Sequence, residues 1–288
     1  MSCIRTSYGE IHFPTFMPVT TFGDKYPMDR LVQPYLRRMS QCIMVSYYYA
    51  RKMKERPTMP MFIDSGGFAS LFQDSEIVEC DGYGEIQTKA GETITPADVL
   101  AFQEQHADLG ATLDFIITPG MDMAEAERRQ KLTIQNALYA KNLLSGDMIL
   151  YASLQCWDAE SAMRCAAVYA DAGFRGIAIG GMVPRAKDPE YIKTIVAAVR
   201  KAAPNCVIHV FGCGQANLLP ELVAAGADSF DSSSYVRDIV DAAKGSAAYA
   251  GIYLSIAKLH ALNCAVSGQT SDLNEWMPNA DLLKNLLT

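Results

Sequence analysis

Apolar segments of strand length alternate with helix-like stretches along most of this 288-residue chain. Eight segments have the composition of buried strands, namely 11–17, 42–45, 61–63, 115–118, 148–154, 176–179, 207–211 and 229–231. Helical stretches lie between most of them. Eight strand–helix units predict an α/β fold in which parallel strands close into a (β/α)8 TIM barrel. A doubly wound open sheet is the alternative.

Helix start and stop signals support this alternation. Thr95, followed by Pro96 and by an acid two residues further on, is typical of a helix N-terminus. Further helices are predicted over 124–144, 159–172, 189–203, 218–225 and 234–262. Region 73–95 breaks the rhythm and is typical of a hairpin inserted after the third strand. We therefore predict a single domain over 1–288 that ends in a helical segment over 234–288.

The composition is that of an ordinary globular protein, with 50% hydrophobic and 20% charged residues. No apolar run approaches the ~18 residues needed to cross a membrane. Residues 1–5 lack the basic-then-apolar layout of a signal peptide. We therefore expect a cytoplasmic protein. The net charge of −7 argues against a general nucleic-acid coat, although it permits a local basic surface.

The eight cysteines and four histidines are dispersed along the chain. No Cys-x-x-Cys pair occurs, and a chain of this length gives no reason to expect a disulfide framework. No spacing typical of a metal site is present. The sequence therefore predicts neither a metal nor another cofactor.

The segment 64–68, Asp-Ser-Gly-Gly-Phe, directly follows the predicted strand 61–63. Its two glycines let the backbone turn sharply and approach a ligand closely. A carboxylate, a hydroxyl and an aromatic ring are thus placed where a strand ends. The alternative is a turn in which Asp64 bonds its own backbone.

The barrel prediction gathers polar residues and glycines at one rim, because active sites of such barrels lie at the carboxyl ends of the strands. The residues in that position are Ser46, Asp64, the turn 118–122, Gln155, Gly180, Gly181, Gly212 and Asp231. Asp64 and Asp231 are the two carboxylates that directly end strands. For Asp231 the alternative is an N-cap of the helix that follows it.

Taken in order, these segments resemble the tRNA-guanine transglycosylase superfamily, which exchanges a guanine for a 7-deazaguanine base. The resemblance extends from Gly9 to about Arg237. The matching segments are 9–19, 64–68, Leu154-Gln155-Cys156, Ala178-Ile179-Gly180-Gly181-Met182, Phe211-Gly212-Cys213-Gly214 and 226–231. The resemblance implies a (β/α)8 barrel and a base-exchanging pentosyltransferase.

The resemblance implies that Asp231 is the nucleophile that attacks the sugar C1′ and that Asp64 is the general acid/base. Breaking an N-glycosidic bond builds positive charge on the ribose. A carboxylate below C1′ stabilises this charge and can trap the sugar as an ester. A second carboxyl group of tuned pKa can protonate the leaving base and deprotonate the incoming one.

The resemblance also implies how the base is held. Phe68 and Phe211 would sandwich the flat ring. Gln155 and the Gly181 N–H, in the turn that begins at Gly180, would hydrogen-bond its carbonyl edge.

Three further side chains belong to this expected base pocket. Asp122 is expected to bind the amidine-like edge of the base, with Asp114 as the rival. Ser65 would fix either the base or Asp64.

The sequence departs from the family after the nucleophile strand. Members usually carry a Cys-x-Cys-x-x-Cys plus His zinc site there, whereas this chain has only Cys264 and His260. We therefore predict no structural zinc. This departure favours the branch that inserts 7-deazaguanines into DNA, with tRNA as the alternative polymer. A guanine in duplex DNA would have to be flipped into the pocket.

Basic residues are the expected nucleic-acid contacts. They are the stretch 37–56, with tyrosines 47–49 within it, and Arg185, Lys187 and Arg237. Basic residues interleaved with aromatics can hold phosphates and stack bases. For the stretch 37–56, the alternative is a solvated helix face with its tyrosines turned to the core.

Two other functions stay open from the sequence. The first is a hydrolase that releases a 7-deazaguanine from a nucleoside or nucleotide with the same two acids. The second is a non-catalytic partner subunit of a transglycosylase, against which the presence of both Asp64 and Asp231 argues. The resemblance also implies a homodimer.

Overall fold

A computed structural model of the chain describes residues 3–71, 75–237, 239 and 247–271. Its strands are β1 (Cys3–Thr6), β2 (Gly9–His12), β3 (Thr15–Thr20), β4 (Ile43–Val45), β5 (Met61–Ile63), β6 (Ser75–Cys80), β7 (Tyr83–Thr88), β8 (Thr93–Ile94), β9 (Leu109–Ala111), β10 (Ile149–Leu154), β11 (Gly176–Ile179), β12 (Val207–Val210) and β13 (Ser229–Ser232). Parallel strands in the order β3-β4-β5-β9-β10-β11-β12-β13 close into a barrel. The predicted (β/α)8 TIM barrel is thereby confirmed.

Helices surround the barrel. They are α1 (Pro27–Met39), α2 (Tyr47–Ala50), α3 (Pro96–His106), α4 (Met123–Leu143), α5 (Ala159–Asp171), α6 (Pro189–Ala202), α7 (Leu219–Ala224), α8 (Ser234–Arg237) and α9 (Ala247–Ser267). The start signal of α3 acts as the sequence predicts, because the Thr95 side chain accepts a hydrogen bond from the Asp98 N–H and Pro96 takes the first helical position. No helix in the described part of the chain is both long and apolar enough to span a membrane.

The hydrophobic core has two layers. Inward-facing side chains such as Met17, Phe62 and Tyr151 fill the barrel, and Ile4 and Ile11 of the β1–β2 hairpin pack against them. A larger cluster of side chains fills the space between strands and helices. Burial of this apolar surface is the main stabilising term, and the filled interior confines chemistry to the barrel's rim.

The fourth barrel strand is not where the sequence predicts it. The prediction was 115–118, whereas the structure has β9 at Leu109–Ala111, paired with β5 and β10. The backbone N–H groups of Phe115 and Ile117 instead bond to the side chains of Thr133 and Gln155. The apolar run 115–118 is therefore a buried connection, and the strand prediction for it is wrong.

The inserted hairpin is present and forms a small antiparallel sheet of β6, β7 and β8. Asn136 of α4 bonds both the N–H and the C=O of Gly84, which fixes the sheet to the barrel's outer layer. Residues 73 and 74, at the start of the predicted insertion, lie outside the described residues.

The helical segment predicted over 234–288 contains α8 and α9, and α9 packs against α1, β3, α7 and α8. Residues 238, 240–246 and 272–288 of this segment lie outside the described residues. The single domain over 1–288 stays a prediction.

Candidate active site

Asp64 and Asp231 lie at the same rim of the barrel, although 167 positions in the sequence separate them. Asp64 follows β5 directly and Asp231 lies near the carboxyl end of β13. Only β3 and β4 stand between these strands in the ring. The charge of Asp231 helps to raise the pKa of Asp64, so the two carboxyl groups influence each other across the mouth.

Backbone donors fix the Asp64 carboxyl group. Its Oδ1 accepts hydrogen bonds from the N–H groups of Tyr47, at 3.0 Å, and Gly66, at 2.8 Å. Burial raises the pKa of Asp64 to about 6, and the negative charge of Asp231 adds to this effect, while the two N–H bonds oppose it. A carboxyl group with such a pKa can give and take a proton near neutral pH.

The Asp231 carboxylate is bonded inside the barrel and not to the helix that follows it. Its Oδ1 is 2.9 Å from the Gly212 N and 3.1 Å from the His209 Nε2. The Ser234 N–H, at the start of α8, donates to the Ser232 hydroxyl. These contacts give no support to the interpretation of Asp231 as a helix cap.

His209 is a site residue that the sequence analysis missed. It lies on β12 in register with Ser229 of β13, and both side chains are fully buried. The available signal was the period of two along the strands, which turns residues 207, 209 and 211 to one face and 229 and 231 to one face. That alternation brings His209 and Asp231 together inside the barrel.

A buried carboxylate, Asp114, forms the floor of a second group of side chains. Its Oδ1 accepts a hydrogen bond from the Ser65 hydroxyl at 2.6 Å, and its Oδ2 accepts one from the Gln155 Nε2 at 2.6 Å. The Gly67 N–H donates to Ser65 in turn, at 3.0 Å. Burial raises the pKa of Asp114, and the bonds from Ser65 and Gln155 oppose this.

Two glycines let the backbone pass beside Gln155. A side chain at Gly180 would overlap the Gln155 amide nitrogen. Gly181 has φ +71°, which side chains rarely adopt, and a Cβ there would lie 2.9 Å from the Gln155 Oε1. Gly181 therefore requires glycine, and a side chain at Gly180 would displace the Gln155 amide.

The two aromatic rings expected to sandwich a base lie on opposite sides of the mouth. Phe68 is in the 3₁₀ turn after β5, and Phe211 follows β12, which is opposite β5 in the ring of eight strands. Phe68 is 52% exposed, whereas Phe211 is half-buried against Phe62 and His209. The sandwich of a base between these two rings stays a prediction.

Asp122 and Arg185 lie in other environments than the sequence predicts. Asp122 is exposed, and its carboxylate accepts hydrogen bonds from the N–H groups of Ala124 and Glu125 at the start of α4. The misplaced fourth strand is the reason: with β9 ending at residue 111, Asp114 and not Asp122 follows at the rim. Of the two candidates, the rival Asp114 and not Asp122 lies beside the segment 64–68, and its contact with a base stays a prediction.

Arg185 is buried and donates to the backbone carbonyls of Ile117, at 2.7 Å, and Gly181, at 2.9 Å. It holds the Gly180–Gly181 turn, so its guanidinium is not presented to a nucleic acid. Lys187 and Arg237 are exposed. For these two, contact with nucleic acid stays a prediction.

The basic stretch 37–56 divides between the two ends of the barrel. Arg37 bonds to Thr58, and Arg56 bonds to the His106 carbonyl, both close to the amino ends of strands. Lys52 lies instead beside α2, which follows β4 at the carboxyl end. The stretch therefore does not form one continuous surface.

The described residues do not fit a structural zinc ion. Cys264 Sγ lies 3.6 Å from His260 Nε2 on α9, but such a site needs four ligands. Among these residues, no three His, Cys, Asp or Glu side chains are grouped to hold a metal.

The fold and the site together define a parallel eight-stranded barrel with two acidic side chains, Asp64 and Asp231, at its carboxyl rim. A profile of the queuine tRNA-ribosyltransferase family matches residues 1–248. The chain belongs to this family.

Curated relatives show the same likeness. The tRNA-guanine(15) transglycosylase of Archaeoglobus fulgidus is 29% identical over 240 residues, which are 81% of this chain and 48% of the relative. The enzyme of the same name from Methanosarcina barkeri is 24% identical over 238 residues, 81% of this chain and 47% of the relative. The enzyme of the same name from Methanococcus aeolicus is 26% identical over 247 residues, which are 78% of this chain and 35% of the relative. The chain thus spans about half or less of these relatives.

Replacing Asp64 by Asn should stabilise the fold more at high pH than at low pH. The pKa of about 6 in the folded protein exceeds the ordinary value of 3.8. The contribution of Asp64 to the free energy of unfolding is therefore full at low pH, where the group is protonated, and is lost as pH rises through 6. Asn keeps an acceptor for the two N–H groups and carries no charge. We expect Asp64→Asn to raise the free energy of unfolding by about 3 kcal/mol at pH 8 and by about 1 kcal/mol at pH 4.5.

Urea unfolding at both pH values measures this difference. Asp147→Asn, which removes an exposed carboxylate, controls for net charge. A stabilisation by Asp64→Asn that does not grow between pH 4.5 and 8 would contradict a raised pKa.

Proposed function

We propose that the protein is a transglycosylase that exchanges a guanine in nucleic acid for a 7-deazaguanine base through a covalent Asp231–glycosyl intermediate. The observation that carries this proposal is the pair of carboxyl groups at one rim, each with Oδ1 held by hydrogen-bond donors. Membership of the queuine tRNA-ribosyltransferase family supports the reaction class.

The reaction takes place in two displacements at C1′. In the first, an Asp231 oxygen forms a bond to C1′ as the bond from C1′ to the guanine nitrogen breaks, and Asp64 gives its proton to the leaving base. In the second, Asp64 takes a proton from the incoming base, whose nitrogen attacks C1′ and releases Asp231. Two displacements retain the configuration at C1′. The raised pKa of Asp64 suits both of its steps.

Asp114, and not Asp122, is the carboxylate we propose for the amidine-like edge of the base. Each of its oxygens already accepts one hydrogen bond, from Ser65 or Gln155. A carboxylate oxygen has a second acceptor position, so the pair of bonds orients Asp114 and leaves it able to accept from a base. The Gly181 N–H and Gln155 would meet the carbonyl edge, between the rings of Phe68 and Phe211.

DNA is the polymer we favour, and tRNA is the alternative. The set of zinc ligands typical of the family's tRNA enzymes is reduced to Cys264 and His260 in this sequence, which supports DNA. The printed activity of the curated relatives, on tRNA, supports the alternative. Homodimer formation stays a prediction beside either polymer.

A cleft beside the mouth supports a polymer substrate over a free nucleoside. It has a volume of about 530 Å³ and lies between the connections after β3 and β4; its lining includes Phe22, Arg30, Tyr49, Lys52 and Lys54. Its aromatic rings are half-buried, and the lining also includes Glu55 and Asp24, which pairs with Lys52. Aromatic and cationic groups together suit a nucleotide next to the reacting one.

An aromatic and cationic platform borders this cleft. The ammonium group of Lys52 lies 4.2 Å from the centre of the Tyr48 ring, which is 50% exposed. The N–H of the adjacent Tyr47 holds Asp64. The segment that carries the platform therefore also positions the general acid/base.

Loss of Asp231 should abolish the covalent intermediate. Protein incubated with guanine-containing nucleic acid and a 7-deazaguanine should gain the mass of the bound polymer in intact mass spectrometry, and Asp231→Ala should not. Asp122→Asn, outside the pocket, should keep the adduct. Exchange of labelled guanine by Asp231→Ala would refute the nucleophile assignment, and a wild-type protein without adduct or exchange would favour the non-catalytic subunit.

The polymer is decided by label transfer. We expect labelled guanine to enter DNA faster than tRNA. We expect no label to enter a free nucleoside. Label in tRNA alone would select the tRNA enzyme. Release of a 7-deazaguanine from nucleoside without label transfer would select the hydrolase.

Removal of the Tyr48 ring should weaken polymer binding by about 5- to 150-fold, since stacking one base contributes ~1–3 kcal/mol. Fluorescence anisotropy with a labelled single-stranded oligonucleotide measures the dissociation constant. Tyr8→Ala is the matched control, because Tyr8 is a similarly exposed ring that stacks on the Arg56 guanidinium at the opposite end of the barrel. Equal losses in both variants would contradict a platform at the mouth.

A further inference from the structure

His209 is a buried ionisable side chain that touches the nucleophile and has no role in the reaction described above. Its ring is fully buried inside the barrel, with its centre 5.2 Å from that of Phe62 and 4.8 Å from that of Phe211. Both of its nitrogens have polar partners. Nδ1 lies 2.9 Å from the Ser229 Oγ, and Nε2 lies 3.1 Å from the Asp231 Oδ1.

These two contacts require a proton on Nε2 and permit a neutral ring. An ionised Asp231 can only accept a hydrogen bond, so Nε2 must carry a proton to bond it. Ser229 Oγ can donate to Nδ1, which then needs no proton. The apolar rings of Phe62 and Phe211 flank the imidazole and exclude water, which disfavours a positive charge on it. The neutral imidazole with its proton on Nε2 satisfies every one of these conditions.

We propose that His209 is a positioning residue for Asp231, held by Ser229 as the neutral Nε2–H tautomer. This inference rests on the proposed function, in which Asp231 attacks C1′. His209 Nε2–H and the Gly212 N–H together hold Oδ1. The carboxylate therefore cannot rotate freely, and Oδ2 is the oxygen that bonds to C1′.

The same pair of donors acts on the ester. When Oδ2 bonds to C1′ and the base leaves with the bonding electrons, Oδ1 becomes the carbonyl oxygen and keeps both hydrogen bonds. When the second base attacks, the bond from Oδ2 to C1′ breaks and its electron pair returns to Asp231. Fixed donors at Oδ1 stabilise that returning charge, as preorganised donors do at other sites of developing negative charge. His209 thus assists both formation and breakdown of the ester without transferring a proton.

A pair of substitutions separates this role from simple packing. The amide nitrogen of Gln can occupy the place of His Nε2, because the same number of bonds separates each from the backbone. The amide nitrogen of Asn is one bond closer to the backbone and therefore does not reach Asp231. We expect His209→Gln to form the adduct within about tenfold of the wild-type rate, and His209→Asn to be slower by about 10²–10³-fold, the usual loss for one such donor.

Rapid-quench mass spectrometry of the Asp231 adduct measures these rate constants, and the substrate concentration that gives half the maximal rate should be the same in all three proteins. Equal rate constants for His209→Asn and wild type would overturn the proposal. So would losses of equal size in both variants, since these indicate a packing role.

The tautomer itself can be observed in the wild-type protein, without any variant. Long-range ¹H–¹⁵N correlation spectra of ¹⁵N-histidine-labelled protein distinguish the neutral tautomers and the imidazolium, and His209→Gln assigns the signal. We expect the neutral Nε2–H tautomer at neutral pH. A wild-type Nδ1–H or imidazolium signal would refute the proposal. If no adduct forms in the wild type, the proposed function fails, while the spectrum still decides the state of His209.

Discussion

The pairing of β13 with β3 closes the barrel, and the geometry of the candidate site depends on that closure. Residues 229–232 of β13 align with residues 15–18 of β3, which makes the last barrel strand a neighbour of the first. Asp231 is thereby brought to the rim that also carries Asp64, with two strands between them. In a sheet opened between β13 and β3, these two strands would lie at opposite edges, and four strands would separate β13 from β5. The two carboxyl groups would then not face each other across one mouth.

At that rim, the protein gives two chemically identical groups different surroundings. The Oδ1 of Asp64 is held by two backbone N–H groups, yet burial and the charge of Asp231 outweigh them and raise the Asp64 pKa to about 6. Asp231 has a backbone N–H and an imidazole as its partners. The two carboxyl groups thus differ in their hydrogen-bond partners, which suits them to the different roles proposed for them.

Much of the fold follows from the sequence because strand and helix signals are local. The runs 61–63 and 176–179 are strands, and Thr95 and Pro96 start α3, as predicted. The fourth strand could not be predicted in the same way. Leu109–Ala111 is only three residues long with a central glycine, whereas the connection 115–118 is more apolar because the hairpin and α4 cover it.

The candidate site shows the same division between local and long-range information. Segment 64–68 and Asp231 carry local signals and lie at the rim. Asp122 is at the end of a connection whose length was misjudged, and it caps α4. The partners of Arg185 are carbonyl groups 68 and four positions away. A contact of this kind exists only once the chain has folded, so composition alone made Arg185 look like a nucleic-acid contact.

The connection after β9 shows why departure from regular structure is useful here. If residues 113–118 continued the strand, their N–H groups would bond to neighbouring strands and their side chains would alternate between the barrel interior and the helices. Instead, the Phe115 N–H bonds to Thr133 and the Ile117 N–H bonds to Gln155. The backbone can then turn, and Asp114 reaches Ser65. Gln155 accepts from this connection with its Oε1 and donates to Asp114 with its Nε2, so a single amide both fixes the connection and orients the carboxylate that it delivers.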